Sequence, residues 1–169
     1  MNIIDGIMTR TSIRKFTGEI ISEEQLDTIL RAGFQGPTAH NRQPWEFIVV
    51  QNKEILEKIK DYHTYAKMIV DAGTAIVVCG DKDKQKNRGF LISDTSAAIQ
   101  NMLLAAHGLG LGAVWCGIYD VEDLINNTKK VLKLPDNILP IGIVVVGNKQ
   151  KDRESSNRYD EEKIHYNQW

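Results

Sequence analysis

The sequence predicts an α+β fold in which one sheet packs against helices. Three observations lead there. Four runs of strand length, at 45–50, 75–79, 113–117 and 140–146, are rich in β-branched and aromatic residues. Helical patterns lie before and between them without strict βαβ alternation, which argues against a doubly wound sheet. The segment from about Leu91 to His107 is Ala-rich with few charges, and a helix apolar nearly all round is a central one. At 169 residues the chain reads as one domain, 1–169, able to bury a core without disulfide or metal staples.

The elements follow in order. Ile3, Ile4, Ile7 and Met8 have helical spacing, so 1–8 reads as a short helix. Ser22 opens a clear helix, with Glu23 and Glu24 in the first turn and Gln25 placed to complete a capping box. Gly33 or Gly36 is expected to end it. A polar loop with two prolines spans 36–44. After the first strand, 53–60 is a charged amphipathic helix and 62–72 is less regular but helical. Gly80 and Asp81 are expected to close the second strand. Residues 81–88 read as a solvated loop of mixed charge. The central helix follows, and its small residues allow a neighbour, such as a second copy, to approach closely. Helix 120–132 separates the last two strands. The tail, 148–169, is polar yet carries Ile164, Tyr166 and Trp169, which need a surface to pack on. A partner subunit is the natural candidate.

Charge and composition exclude several classes. Net charge is −1, from 21 basic and 22 acidic residues, so no basic field points to nucleic acid or to an anionic membrane. The chain starts with an early acid and no apolar run, so no secretory signal is expected and the cytoplasm is the simplest location. No apolar stretch approaches the roughly 18 residues that would span a bilayer. Cys79 and Cys116 lack CxxC partners and lie in apolar surroundings, which fits buried small hydrophobes. The four histidines show no metal-ligand spacing.

Several segments could carry chemistry. In Arg10-Thr11-Ser12-Ile13-Arg14, alternate residues of an extended stretch would face one side. Two guanidinium groups and a hydroxyl then suit a phosphate with a polyol or an electron-rich ring. Spacing alone fits a helix end with solvated arginines at least as well. The 37–44 loop packs hydrogen-bonding side chains before a core strand, a common place for ligands, although an ordinary connection reads the same way. Gly108, Gly110 and Gly112 follow a helix and precede a strand. That is the reverse of a dinucleotide fingerprint, so they read as a helix stop and tight turn. No nucleophile or acid is placed to complete a triad with His40.

Taken together, these segments resemble the nitroreductase family. RTSIRKF (10–16) is similar to its RxSxRxF/Y motif. GPTAHNRQPWEFIVV (36–50) is similar to its PSxxNxQPWxF segment. SDTSAAIQNMLLAAHGLGLGAVWCG (93–117) resembles its DxxxAxQNxxLaAxxlGLGxxW region, and NRYDEEKIHYNQW (157–169) resembles the arginine-bearing tail of short members. The resemblance spans nearly the whole chain in order.

It implies an α+β sandwich with a mostly antiparallel central sheet, built as an intertwined homodimer with exchanged C-terminal tails. It implies FMN as cofactor, NADH or NADPH as electron donor, and a nitroaromatic, quinone or related small acceptor. By the same resemblance, Arg10, Thr11, Ser12, Ile13 and Arg14 would bind phosphate, ribityl and the pyrimidine edge. Pro37, Thr38, Ala39 and Asn41 would come from the other subunit, Trp115, Cys116 and Gly117 would place backbone near N5, and Arg158 would complete the phosphate site. No side chain need act as acid or base, because the flavin carries the chemistry. Lys67 lies near where some members carry a flavin-contacting basic residue, but the motifs do not fix its register. The chain is short between Gly80 and Leu91 and after Gly117, so acceptor and nicotinamide preference stay open. A flavin-storage or sensing module without turnover is the alternative.

Overall fold

The computed structural model describes residues 2–169. Four strands form one antiparallel sheet: β1 (Trp45–Val50), β2 (Thr74–Asp81), β3 (Gly112–Gly117) and β4 (Ile138–Gly147), in the order β1-β2-β4-β3. The inner strands β2 and β4 are buried along almost their whole length, so both sheet faces are covered. One group of helices comprises α1 (Ile3–Thr9), α2 (Glu23–Phe34) and α5 (Arg88–Gly108). The other comprises α3 (Lys53–Tyr62), α4 (Ile69–Ala72) and α6 (Glu122–Leu132). The α5 helix packs against all four strands, as its apolar circumference requires. Among the described residues no helix is long and apolar enough to cross a membrane.

Several boundaries differ from expectation for identifiable reasons. The first helix runs to Thr9, and of the expected span 1–8, Met1 lies outside the described residues. Ser22 and Gln25 form the expected capping box, but α2 continues through Gly33 to Phe34. Gly33 serves close packing instead: a Cβ there would overlap the Met102 side chain on α5. Gly80 and Asp81 stay inside β2, paired with Leu139 and Ile138. The 81–88 stretch is not wholly solvated. Gln85 is buried and accepts hydrogen bonds from Arg42 Nη1 and the Asn87 amide, both at 3.2 Å, and Asn87 caps α5 from Arg88. In 62–72, Tyr62 ends α3, and beyond it only Ile69–Ala72 is α-helical, after a 3-10 turn at Thr64–Ala66. Helix α6 starts at Glu122 rather than Asp120.

Two local features shape the site end of the sheet. Gly110, at φ 79°, ends α5 in a Schellman motif: its amide donates to the His107 carbonyl, and the Leu111 amide donates to that of Ala106. The chain thus reverses directly into β3. Pro140 lies in a central strand, where its missing N–H would break the ladder. A β-bulge solves this, because Val78 pairs Gly142 and Cys79 pairs Pro140, leaving Ile141 as the extra residue. The Ile141 carbonyl then accepts from the Ile118 and Tyr119 amides at 3.0 and 3.1 Å, which turns the chain at the end of β3.

Candidate functional site

The site grows from the free edge of β3. The Ile13 amide donates to the Ala113 carbonyl at 3.0 Å, and His63 Nε2 lies 3.0 Å from the Gly117 carbonyl oxygen. Both carbonyls therefore point away from β4. Backbone groups alternate sides along a strand, so Trp115, midway between them, turns its own N–H and C=O to the same edge. The N-terminal segment reaches β3 closely because a Cβ at Gly112 would overlap the Ile13 side chain. Ile13 and Phe16 are buried, and that anchoring leaves the Arg14 side chain exposed and Ser12 half-buried.

Ser12 and Arg14 line a hollow of about 220 Å³ with Thr11, Arg153, Ser156 and Arg158. Thr11 Oγ1 donates to the Arg153 carbonyl at 3.2 Å, tying the tail to the N-terminal segment. Arg10 sits one step further along, in an adjoining hollow with Thr11 and Arg158. Among the described residues none of these four arginines is ion-paired, and Glu154 is the acidic residue at the rim. Such a donor set suits a dianion.

Arg14 also borders a second cleft of about 430 Å³, shared with Thr64, Tyr65, Lys67, Met68 and Val114 to Gly117. It therefore stands between the cationic hollow and the open edge of β3. Trp115 is 37% exposed. Its indole leans over Gly142, the diagonal position on β4, where a Cβ would overlap Nε1. Trp115 and Gly117 also border a third hollow, with Tyr119, Ile92, Ser96 and Ile141. Cys116 is buried, and its Sγ donates to the Tyr65 carbonyl at 3.3 Å. Burial pushes the thiol up to about 11, against an opposing pull from Arg14, so it offers the site no nucleophile, and by the same alternation its backbone faces β4.

The 37–41 loop lies elsewhere. None of Pro37, Thr38, Ala39 or Asn41 lines these cavities. The Ala39 amide donates to Asp94 Oδ1 on α5 at 2.9 Å. His40, Asn41 and Gln43 have φ of 56°, 53° and 49°, a conformation that costs non-glycine residues energy. Bonds from the Gln43 amide to Thr38 Oγ1 and from Gln43 Nε2 to Asn41 Oδ1 hold it. One chain thus brings together Arg10 to Arg14, Trp115 to Gly117 and Arg158, and leaves the 37–41 loop apart. Sequence reasoning left Arg153, Thr64 and Tyr65 out of the site and named Lys67 without a fixed register. The basic run Lys149, Lys151, Arg153 was a signal for Arg153; the irregular 62–72 pattern concealed the turn that carries the others.

The model of the nitroreductase family matches residues 7–64 and 63–148. The chain belongs to the nitroreductase family. It is 41% identical over 169 residues to a Methanothermobacter thermautotrophicus protein provisionally named NADH dehydrogenase/NAD(P)H nitroreductase, covering 100% of this chain and 88% of that protein. A similarly named crystal structure from Parabacteroides distasonis superposes with a TM-score of 0.96 at 38% identity, covering 100% of both chains. A nitroreductase of provisional name from Desulfovibrio desulfuricans, solved with FMN, gives a TM-score of 0.86 at 29% identity, covering 100% of this nitroreductase-family chain and 98% of the other.

Proposed function

We propose that this oxidoreductase binds FMN between the Arg10–Arg14 segment and the open edge of β3. It then passes reducing equivalents from NADH or NADPH to a nitroaromatic, quinone or similar small acceptor by ping-pong transfer. The observation that carries the reading is the position of Arg14, which borders both the cationic hollow and the cleft beside Trp115 to Gly117. The donor chemistry fits the cofactor: guanidinium groups for its phosphate, the Ser12 and Thr11 hydroxyls for its polyol, and a flat cleft with backbone donors for its ring. The FMN complex of the Desulfovibrio desulfuricans relative supports the same reading.

Bound FMN would supply the hydride and electron chemistry. This chain's residues then do four things. Arg10, Arg153 and Arg158 neutralise phosphate charge. Arg14 lends positive charge at the ring's polar edge, which favours the reduced cofactor. Trp115 and Gly117 present backbone to the ring along the open edge. Tyr65 and Trp115 shape the approach of donor and acceptor.

A homodimer completes the proposal, with Pro37, Thr38, Ala39 and Asn41 supplied across the interface. The chain exposes 10237 Å², about 1,800 Å² more than the roughly 8,400 Å² expected of a folded monomer of this mass. The apolar residues Ile3, Ile4, Ile7 and Met8 of α1 are at least half exposed, and Trp169 is fully so. Such surface is what an obligate interface covers.

The test is an absorbance spectrum of purified protein with added FMN, followed by anaerobic mixing with NADH and with NADPH. A flavin band near about 450 nm that bleaches on mixing is expected. Protein that takes up no FMN refutes the cofactor assignment. A bound flavin that neither nicotinamide reduces favours a flavin store.

A further inference from the structure

His63 is fully buried, yet it belongs to no catalytic proposal above. Its backbone is fixed at the end of α3, where its amide donates to the Ile59 carbonyl and its carbonyl accepts from the Ala66 amide, both at 3.0 Å. Its ring reaches away from this helix to β3. Nε2 lies 3.0 Å from the Gly117 carbonyl. A carbonyl only accepts, so Nε2 carries the proton. Nδ1 is buried without a hydrogen-bond partner. A second link runs two residues away in the opposite direction, from Cys116 Sγ to the Tyr65 carbonyl at 3.3 Å. These two bonds clasp the 63–67 turn to the last two residues of β3.

The clasp has a definite place in the site. Thr64, Tyr65 and Lys67 form one wall of the cleft beside Arg14, and Trp115 to Gly117 form the other. The width of the cleft is therefore set where the two walls join. Gly117 has no side chain to hold it, and a Cβ there would meet nothing within 4 Å. Buried Cys116 and Ile118 anchor the strand on either side, but Gly117 itself adds no packing toward the 63–67 turn, so its link to that turn is a hydrogen bond.

We propose that His63 is a positioning residue that, through its Nε2–H bond to the Gly117 carbonyl, sets the spacing of the cleft walls that receive the flavin ring. The ligand half of this inference rests on the FMN reading above; the clasp itself does not. A long amide can reproduce the Nε2 donor, whereas an apolar side chain of similar volume cannot. The paired variants are accordingly His63→Gln and His63→Leu, with His63→Asn, whose amide is too short to reach, if the leucine variant does not fold.

Two readouts separate the clasp from the cofactor. In the flavin-free chain, amide hydrogen exchange across 64–67 and 115–118 should accelerate roughly tenfold in His63→Leu and stay near wild type in His63→Gln, as expected for loss of one hydrogen bond. In FMN titrations His63→Leu should weaken affinity roughly tenfold and alter the flavin band, while His63→Gln stays within about threefold. Unchanged exchange in His63→Leu overturns the clasp whether or not the protein binds FMN. Equal loss in both variants, with the fold intact, overturns the assignment of the Nε2 donor. Wild-type protein that takes up no FMN defeats the flavin reading, and the exchange arm then decides the clasp alone.

Discussion

Gly142→Ala isolates the role of Trp115. The added Cβ would overlap indole Nε1 and come within 3.0 Å of the indole Cδ1 and 3.3 Å of the Cys116 carbonyl oxygen. The carbonyl belongs to the paired strand and cannot yield. The indole is 37% exposed and can. Were it held in place, overpacking would cost about 1–3 kcal/mol. Swinging it outward relieves the overlap, while burial of the new methyl returns about 0.8 kcal/mol and the stiffer unfolded chain about 0.4–1 kcal/mol. Stability should therefore stay within about 1 kcal/mol of wild type in urea unfolding. FMN affinity should not, because the displaced ring enters the cleft; a loss of roughly tenfold, or about 1.4 kcal/mol, is expected. With three tryptophans in the chain, the Trp115 indole N–H resonance is separable and should shift. Unmoved indole resonances together with FMN affinity within about twofold of wild type would refute the reasoning.

Ile59→Ala, at a fully buried position on α3, should cost about 2–5 kcal/mol in chemical unfolding through lost transfer energy and a cavity; a loss well under 1 kcal/mol would mean that the site collapses around the smaller residue. Burial holds the His63 imidazole below its ordinary value of 6.5, with Lys67 acting in the same direction and the Gly117 carbonyl opposing. The unfolded chain then binds the proton first, so stability should be intact above the ordinary value and fall as pH drops below it. His63→Gln should flatten that part of the curve, and an unaltered slope would contradict the assignment. Deleting residues 159–169 removes Ile164, Tyr166 and Trp169, which are 40%, 84% and 100% exposed in the isolated chain. Sedimentation should report a weaker dimer, and an unchanged profile would show that the tail contacts no partner.

Much of this fold was legible because local signals were strong. The Ser22 capping box, the β-branched runs and the Gly108–Gly112 turn each have a short-range cause, and each holds in the structure. The errors came from long-range packing. Of the two glycines expected to stop α2, Gly36 follows its cap, whereas Gly33 lies inside the helix because Met102 needs its missing side chain. Gln85 looked solvated until Arg42, 43 positions away, supplied its partner. The site shows the same division. The Arg10–Arg14 segment was visible by residue type, but its use depends on Ile13 docking against Gly112, a contact between distant parts of the chain. The His63 clasp left no local trace, since nothing near it in sequence marks Gly117 as its acceptor.

The free edge of β3 has a consequence for colloidal behaviour. An open strand edge invites pairing with another chain. Here the edge is interrupted at both ends, by Ile13 bonding Ala113 and by His63 beside Gly117. Only Trp115 is left between them, with a bulky indole overhead. That opening is too short to template a foreign strand, yet it suffices for a flat small molecule. The same two contacts that frame the candidate cleft therefore shield this edge of the sheet from pairing with a foreign strand.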